Sequence, residues 1–125
     1  MKTATNGQAM NDAMLDLVAR RFRILGEPYR LRILQQLERG ELSVGALVEV
    51  LDGNQPNVSR HLQVLYDAGL VSRRRDGTSV LYAIGDPVIF KLCDLVCRNT
   101  RQRTQQSLDE LGGVSSQRAA QRSRR

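Results

Sequence analysis

Asn54-Gln55-Pro56-Asn57-Val58-Ser59-Arg60-His61-Leu62-Gln63-Val64-Leu65 is the stretch that decides the fold. Asn54 is a strong N-cap residue, and Pro56 is tolerated in a first helical turn, where its missing N–H would have had no partner. Val58, Leu62 and Leu65 recur at a spacing that sets them on one helical face, and Gly69 closes the helix they predict. With that face turned inward, Pro56, Asn57, Ser59, Arg60 and Gln63 point outward. A short helix is predicted immediately upstream. Ser43 can cap it, Leu42 and Leu47 are placed as a hydrophobic staple, and Val44, Leu47, Val48 and Leu51 supply its buried stripe before Asp52-Gly53. Two short helices joined by a tight turn make a helix-turn-helix.

Further upstream, Met14, Leu17, Val18, Phe22 and Leu25 predict an amphipathic helix over residues 12–25, ended by Gly26. Pro28 opens a second helix, carried by Leu31, Leu34 and Leu37 to Arg39-Gly40. Downstream, residues 71–75 and 78–84 read as strands joined around Asp76-Gly77, a strong hairpin signal that supplies a wing. Asp86 and Pro87 then start a long helix, expected to stop at Gly112-Gly113. The fold class is therefore mainly α with a small β-hairpin: a winged helix-turn-helix with additional N- and C-terminal helices. We place a flexible N-terminus at residues 1–11, one domain at 12–111 and a disordered basic tail at 112–125. Val88, Ile89, Leu92, Leu95 and Val96 are more apolar surface than so small a core can use. They predict a homodimer through the first and last helices.

Composition narrows the function. The 125 residues suit one domain, and the net charge of +6 favours a polyanionic partner. Lys2 and Lys91 are the only lysines among 19 basic residues, and arginine's planar fork suits phosphate and guanine. With no tryptophan and 4% aromatic residues there is little material for base stacking, so double-stranded DNA is a better partner than single strands or RNA. A single histidine, no Gly-rich phosphate loop and no clustered carboxylates argue against an enzyme. No signal-peptide core and no apolar span is visible, which predicts a cytoplasmic protein with no membrane partner.

The outward residues of the fourth helix are types that read or grip DNA. Arginine binds guanine bidentately, asparagine and glutamine pair with adenine, and serine hydroxyls hold phosphate. Gln55, Asn57, Ser59 and Arg60 lie at the end of a recognition helix that usually enters the major groove. The candidate DNA-binding set is Ser43, Gln55, Pro56, Asn57, Ser59, Arg60, His61 and Gln63, joined by Arg73, Arg74 and Arg75 beside the wing turn. A solvated polar face is the alternative for both groups. His61 flanks the apolar stripe, and a partly buried histidine bonded to a neighbouring helix competes there with a base contact.

At these residues the chain resembles the ArsR/SmtB family. The stretch Gln55 to Leu65, its continuation Tyr66-Asp67-Ala68-Gly69-Leu70-Val71, the upstream Leu25-Gly26-Glu27-Pro28-Tyr29-Arg30, and a wing of arginines followed by Gly77 and Tyr82 carry the likeness, over about residues 15–100. The resemblance implies a homodimeric repressor that binds an inverted-repeat operator, often its own, and releases it when an inducer binds or a thiol is modified. It also marks a departure. Arsenic, cadmium and lead sensors of the family open the third helix with Cys-Val-Cys after Glu-Leu, whereas Glu41-Leu42 is followed here by Ser43-Val44-Gly45. Zinc-type sensors carry acid and histidine ligands on the last helix, where the matching positions here are Asp86, Val88, Asn99 and Gln102. A four-ligand zinc site within one chain is not expected.

Cys93 and Cys97 remain, one helical turn apart on the last helix. Two thiolates at that spacing could bridge a soft ion such as As(III), Hg(II) or Cd(II), with the partner chain adding sulfur, or could carry a redox or persulfide signal. They could equally pack as small hydrophobes. No resident cofactor is required. The competing functional classes are the same DNA-binding regulator without thiol sensing, and a basic RNA- or membrane-surface-binding protein whose affinity ignores DNA sequence.

Overall fold

A computed structural model describes the backbone of residues 11–123 and the side chains of residues 11–112. In chain order the elements are α1 (Asp12–Leu25), α2 (Pro28–Leu37), β1 (Leu42–Ser43), α3 (Val44–Leu51), α4 (Gln55–Asp67), β2 (Val71–Asp76), β3 (Ser79–Ile84) and α5 (Pro87–Ser123). The chain divides after Pro87 into two units, the winged helix-turn-helix and α5.

Each of the first helices starts on a side-chain cap. Asn11 Oδ1 accepts from the Met14 N–H at 2.8 Å, and Glu27 accepts from the Tyr29 N–H at 2.8 Å, with Pro28 at the first helical position. Ser43 Oγ accepts from Ala46 at 3.1 Å and Asn54 Oδ1 from Asn57 at 2.9 Å. Such a bond satisfies an amide that has no partner inside the helix and contributes about 1 kcal/mol. Asn11, assigned from the sequence to the flexible N-terminus, thus belongs to α1; the rest of that segment lies outside the described residues. Two tight turns bound the recognition helix. α3 ends on Asp52, the one non-glycine residue at positive φ among those described. α4 closes through Gly69, at φ +74°, and the Leu70 N–H bonds back to Leu65 O at 2.9 Å.

The core of this unit is built from Ile33, Leu34 and Leu37 of α2, Leu47 of α3, Val58, Leu62 and Leu65 of α4, and Leu70, Val71 and Tyr82 beside them. Full burial of one such aliphatic side chain stabilises by about 1.5–3 kcal/mol. The α2 stripe is offset from the predicted one: Ile33 is buried and Leu31 is exposed. On α1 only Leu25 is buried, and Met14, Leu17 and Phe22 are exposed. The apolar period of α1 therefore faces away from this core.

The sheet has the order β1-β3-β2 and is antiparallel throughout. β1 was not expected; two residues are too few for any alternation to show, and pairing with β3 at Leu42↔Tyr82 and Ser43↔Leu81 defines it. The hairpin turn is shifted by one residue from the predicted centre. Asp76 pairs with Ser79, leaving Gly77 and Thr78 as the turn, and the positive φ of +65° falls on Gly77 alone. That is the type II′ arrangement, with glycine at the first central position.

α5 continues through Gly112 and Gly113 to Ser123, past its predicted end. A glycine weakens a helix interior by only about 1 kcal/mol relative to alanine, and no proline follows to forbid continuation. The side chains beyond residue 112 lie outside the described residues. Among those described, no helix is long and apolar enough to cross a membrane.

Candidate nucleic-acid interface

The capped start of α4 presents Gln55, Pro56, Arg60 and Gln63 as exposed residues, with Asn57 and Ser59 half-buried beside them. The face is internally ordered. Arg60 Nη2 donates to Asn57 Oδ1 one turn earlier, and Gln63 Nε2 donates to Asp67 Oδ1 at 2.8 Å. The Arg60–Asn57 bond draws the guanidinium towards the N-terminal end of the helix, where backbone amides also favour anions. Ser43 sits differently from the rest. Its oxygen is engaged as the α3 cap, and it lies at the edge of the sheet.

His61 is a correction to the candidate set. It is buried at 5% exposure and cannot present an edge to a base. Its Nδ1 accepts from Arg30 Nε at 3.2 Å, and its ring stacks on Tyr29 with centroids 5.2 Å apart. Its place on the wheel, between the apolar stripe and the polar face, lets α2 rather than solvent cover it. Burial, with Arg30 and Arg60 nearby, holds its pKa below the ordinary histidine value against the opposing pull of Glu27.

The three wing arginines are exposed but are not equivalent. Arg73 lies over the Tyr66 ring, 3.8 Å from its centre, and contact with the Tyr82 hydroxyl keeps its pKa above the ordinary value. Arg74 grips Glu41 through Nε and Nη2, both at 2.7 Å, which lowers the carboxyl pKa and raises that of the guanidinium. Arg75, at the tip, is the wing arginine without a protein partner among the described residues. Strand alternation explains the division. Arg73 and Tyr82 pair across the sheet face that packs on the helices, and Arg74 points to the other face. Sequence reasoning missed Glu41, Tyr66, Tyr29 and Arg30 as supports. The residues around Tyr29 and Arg30 stood out only through family likeness, and partners many residues apart leave no periodic signal.

On α5, Cys93 is half-buried and Cys97 exposed. Burial pushes the Cys93 thiol above its ordinary pKa, against a backbone hydrogen bond. Arg101 Nη2 approaches Cys97 Sγ at 3.6 Å. Among the described residues no group of three or more histidine, cysteine or acidic side chains is placed to hold a metal.

Residues 25–74 match the sequence model of a helix-turn-helix domain family. Over 81 residues the chain is 47% identical to a "Probable mercury resistance operon repressor" of Streptomyces lividans, a match covering 65% of this chain and 62% of that protein. The match thus spans less than two thirds of that relative's length. Among solved structures, a homodimeric winged helix-turn-helix DNA-binding domain of Mycobacterium bovis, described as a possible ArsR-family transcriptional regulator, is 35% identical with a TM-score of 0.64, covering 72% of this chain and 89% of that one. The AntR antimony-specific transcriptional repressor is 27% identical with a TM-score of 0.69, covering 84% of this chain and 96% of the other.

Proposed function

Because the chain belongs to the ArsR/SmtB family of winged helix-turn-helix transcriptional repressors, we propose that it is a homodimeric repressor whose two α4 helices enter successive major grooves of an inverted-repeat operator. The observation that carries this reading is the exposed face of Gln55, Arg60 and Gln63 on a capped helix, flanked by a basic hairpin. Half-sites about 34–36 Å apart suit such a dimer. Arg60 and Gln63 read bases, Gln55, Asn57 and Ser59 meet the backbone or flanking bases, and Arg75 meets phosphate at the wing. Dimerisation uses the first and last helices. Met14, Leu17 and Phe22 are exposed on α1, and an open groove of about 570 Å³ is lined by Met14, Leu17, Val18 and Ile24 of α1 with Val64 and Ala68. The basic tail adds phosphate contacts that do not depend on sequence. The protein works in the cytoplasm and needs no resident cofactor.

The signal in this reading is thiol-reactive and arrives at Cys93 and Cys97. That mercury and antimony repressors are among the similar proteins supports a soft ion such as Hg(II), As(III) or Cd(II), and a redox or persulfide signal uses the same sulfurs. A coupling of about 1–3 kcal/mol between signal and DNA would change affinity roughly 5- to 150-fold. The test is fluorescence anisotropy on the duplex upstream of the protein's own gene, with and without mercury, arsenite, cadmium and polysulfide. Release that disappears in Cys93→Ser or Cys97→Ser is expected. Tight binding that none of them changes returns both cysteines to packing and leaves a regulator with another signal. Affinity indifferent to DNA sequence overturns the operator reading.

A further inference from the structure

The buried histidine of α4 lies in a node that joins three helices. His61 Nδ1 accepts from Arg30 Nε at 3.2 Å, and Arg30 Nη1 donates to Ile24 O at 3.1 Å. Ile24 is in the last turn of α1, so that carbonyl has no partner within its own helix. Tyr29, next to Arg30 on α2, stacks on the His61 ring. Its Oη lies against Gly53, in the turn between α3 and α4, where an added Cβ would collide with it. A single pair of adjacent α2 residues thus ties the end of α1 and the helix-turn-helix turn to the inner face of α4.

The chemistry of the Arg30 bond fixes the state of the imidazole. A guanidinium has donors only, so Nδ1 must offer a lone pair and the ring proton must sit on Nε2. Protonation would set N–H against N–H and add a cation beside Arg30 and Arg60. Glu27, at the start of α2, is the carboxylate among the groups acting on His61 that would offset it, and its side chain is already engaged with the Tyr29 N–H.

We infer that His61 is a positioning residue for α4, coupling its orientation to the end of α1 through Arg30, and that it holds this place only as the neutral Nε2–H tautomer. The consequence for DNA rests on α4 being the recognition helix. α1 is also a proposed dimer helix, so the node is a path by which a change at the dimer interface reaches the DNA-reading face. It makes operator affinity fall when His61 takes up a proton.

His61 is the only histidine in the chain, so its ring nitrogens can be followed without ambiguity in the full-length ¹⁵N-labelled protein. The experiment pairs that titration with anisotropy on the upstream duplex between about pH 5 and 8, the window in which histidine is the side chain expected to change charge. The expected result is an Nε2–H tautomer at neutral pH and a roughly tenfold loss of affinity that tracks protonation of His61. His61→Asn offers Arg30 an acceptor that does not titrate, and whatever its absolute affinity, that affinity stays flat across the window. An Nδ1–H tautomer, or coincident pH profiles for wild type and H61N, would overturn the inference. A protein that selects no duplex at any pH while keeping the Nε2–H tautomer would sustain the helix coupling and overturn the DNA reading.

Discussion

Arg74 reaches from β2 to hold Glu41, just before β1, through two hydrogen bonds of 2.7 Å. The pair closes over β3, so one wing arginine is already partly neutralised by a carboxylate of its own chain. At 56% and 37% side-chain exposure it is a surface pair, which solvent and salt screen, so it adds little to stability. Its weight falls on charge rather than on stability.

Glu41→Gln is therefore expected to leave thermal stability nearly unchanged while freeing Arg74 for phosphate. Affinity for random duplex should rise, and the slope of log affinity against log salt should steepen by about 0.9 for one added phosphate contact. An unchanged slope would show that Arg74 does not reach the backbone even when released.

Arg60→Ala and Gln63→Ala should each weaken operator binding by about 1–3 kcal/mol and relax base preference at the position they face. Both side chains are exposed, so the free energy of unfolding should change by no more than about 0.5 kcal/mol. Affinity and stability are read on the same preparations. Loss of both together would place these residues in the fold instead.

Two glycines predict opposite signs. A Cβ at Gly85 would lie 2.7 Å from the Val71 carbonyl carbon, where backbone meets backbone and cannot yield. Gly85→Ala should destabilise by about 1–3 kcal/mol, in the range of overpacked sites, measured from the denaturant midpoint. Gly112 is helical with nothing within 4 Å of an added Cβ. Gly112→Ala should raise the helix content of α5 and stabilise by up to about 1 kcal/mol.

The depressed pKa of His61 also makes a stability prediction. Below the ordinary value of 6.5 the unfolded chain binds the proton more readily than the folded one. The stabilising contribution is thus fully present above pH 6.5, and is lost as pH falls from there through the lowered folded pKa. The melting temperature should drop on acidification through that window in the wild type and stay level in His61→Asn. A wild-type melting temperature that rises on acidification would show the histidine to be stabilised as a cation.

Much of the recognition helix was legible because everything that defines it is local. Asn54, Pro56, the Val58-Leu62-Leu65 stripe and Gly69 are signals read within a turn or two. The caps at Ser43 and Asn54 stand where the residue types placed them. The wing was legible as a hairpin but not in its register, because Asp76-Gly77 and Gly77-Thr78 are both acceptable turns and the pairing of β3 with two strands decides between them.

From the sequence by itself came the order of the helices and the wing hairpin, the polar face of α4 and the clustering of basic charge, since propensity, capping and side-chain period are properties of neighbouring residues. Only the tertiary structure decided what each polar group does. His61 turns inward because Tyr29 and Arg30 cover it, and Arg74 is engaged because β1 brings Glu41 within reach, whereas Arg75 remains available. Those outcomes depend on contacts between residues about 30 positions apart, and a hydrogen bond formed at that separation writes no pattern into the chain.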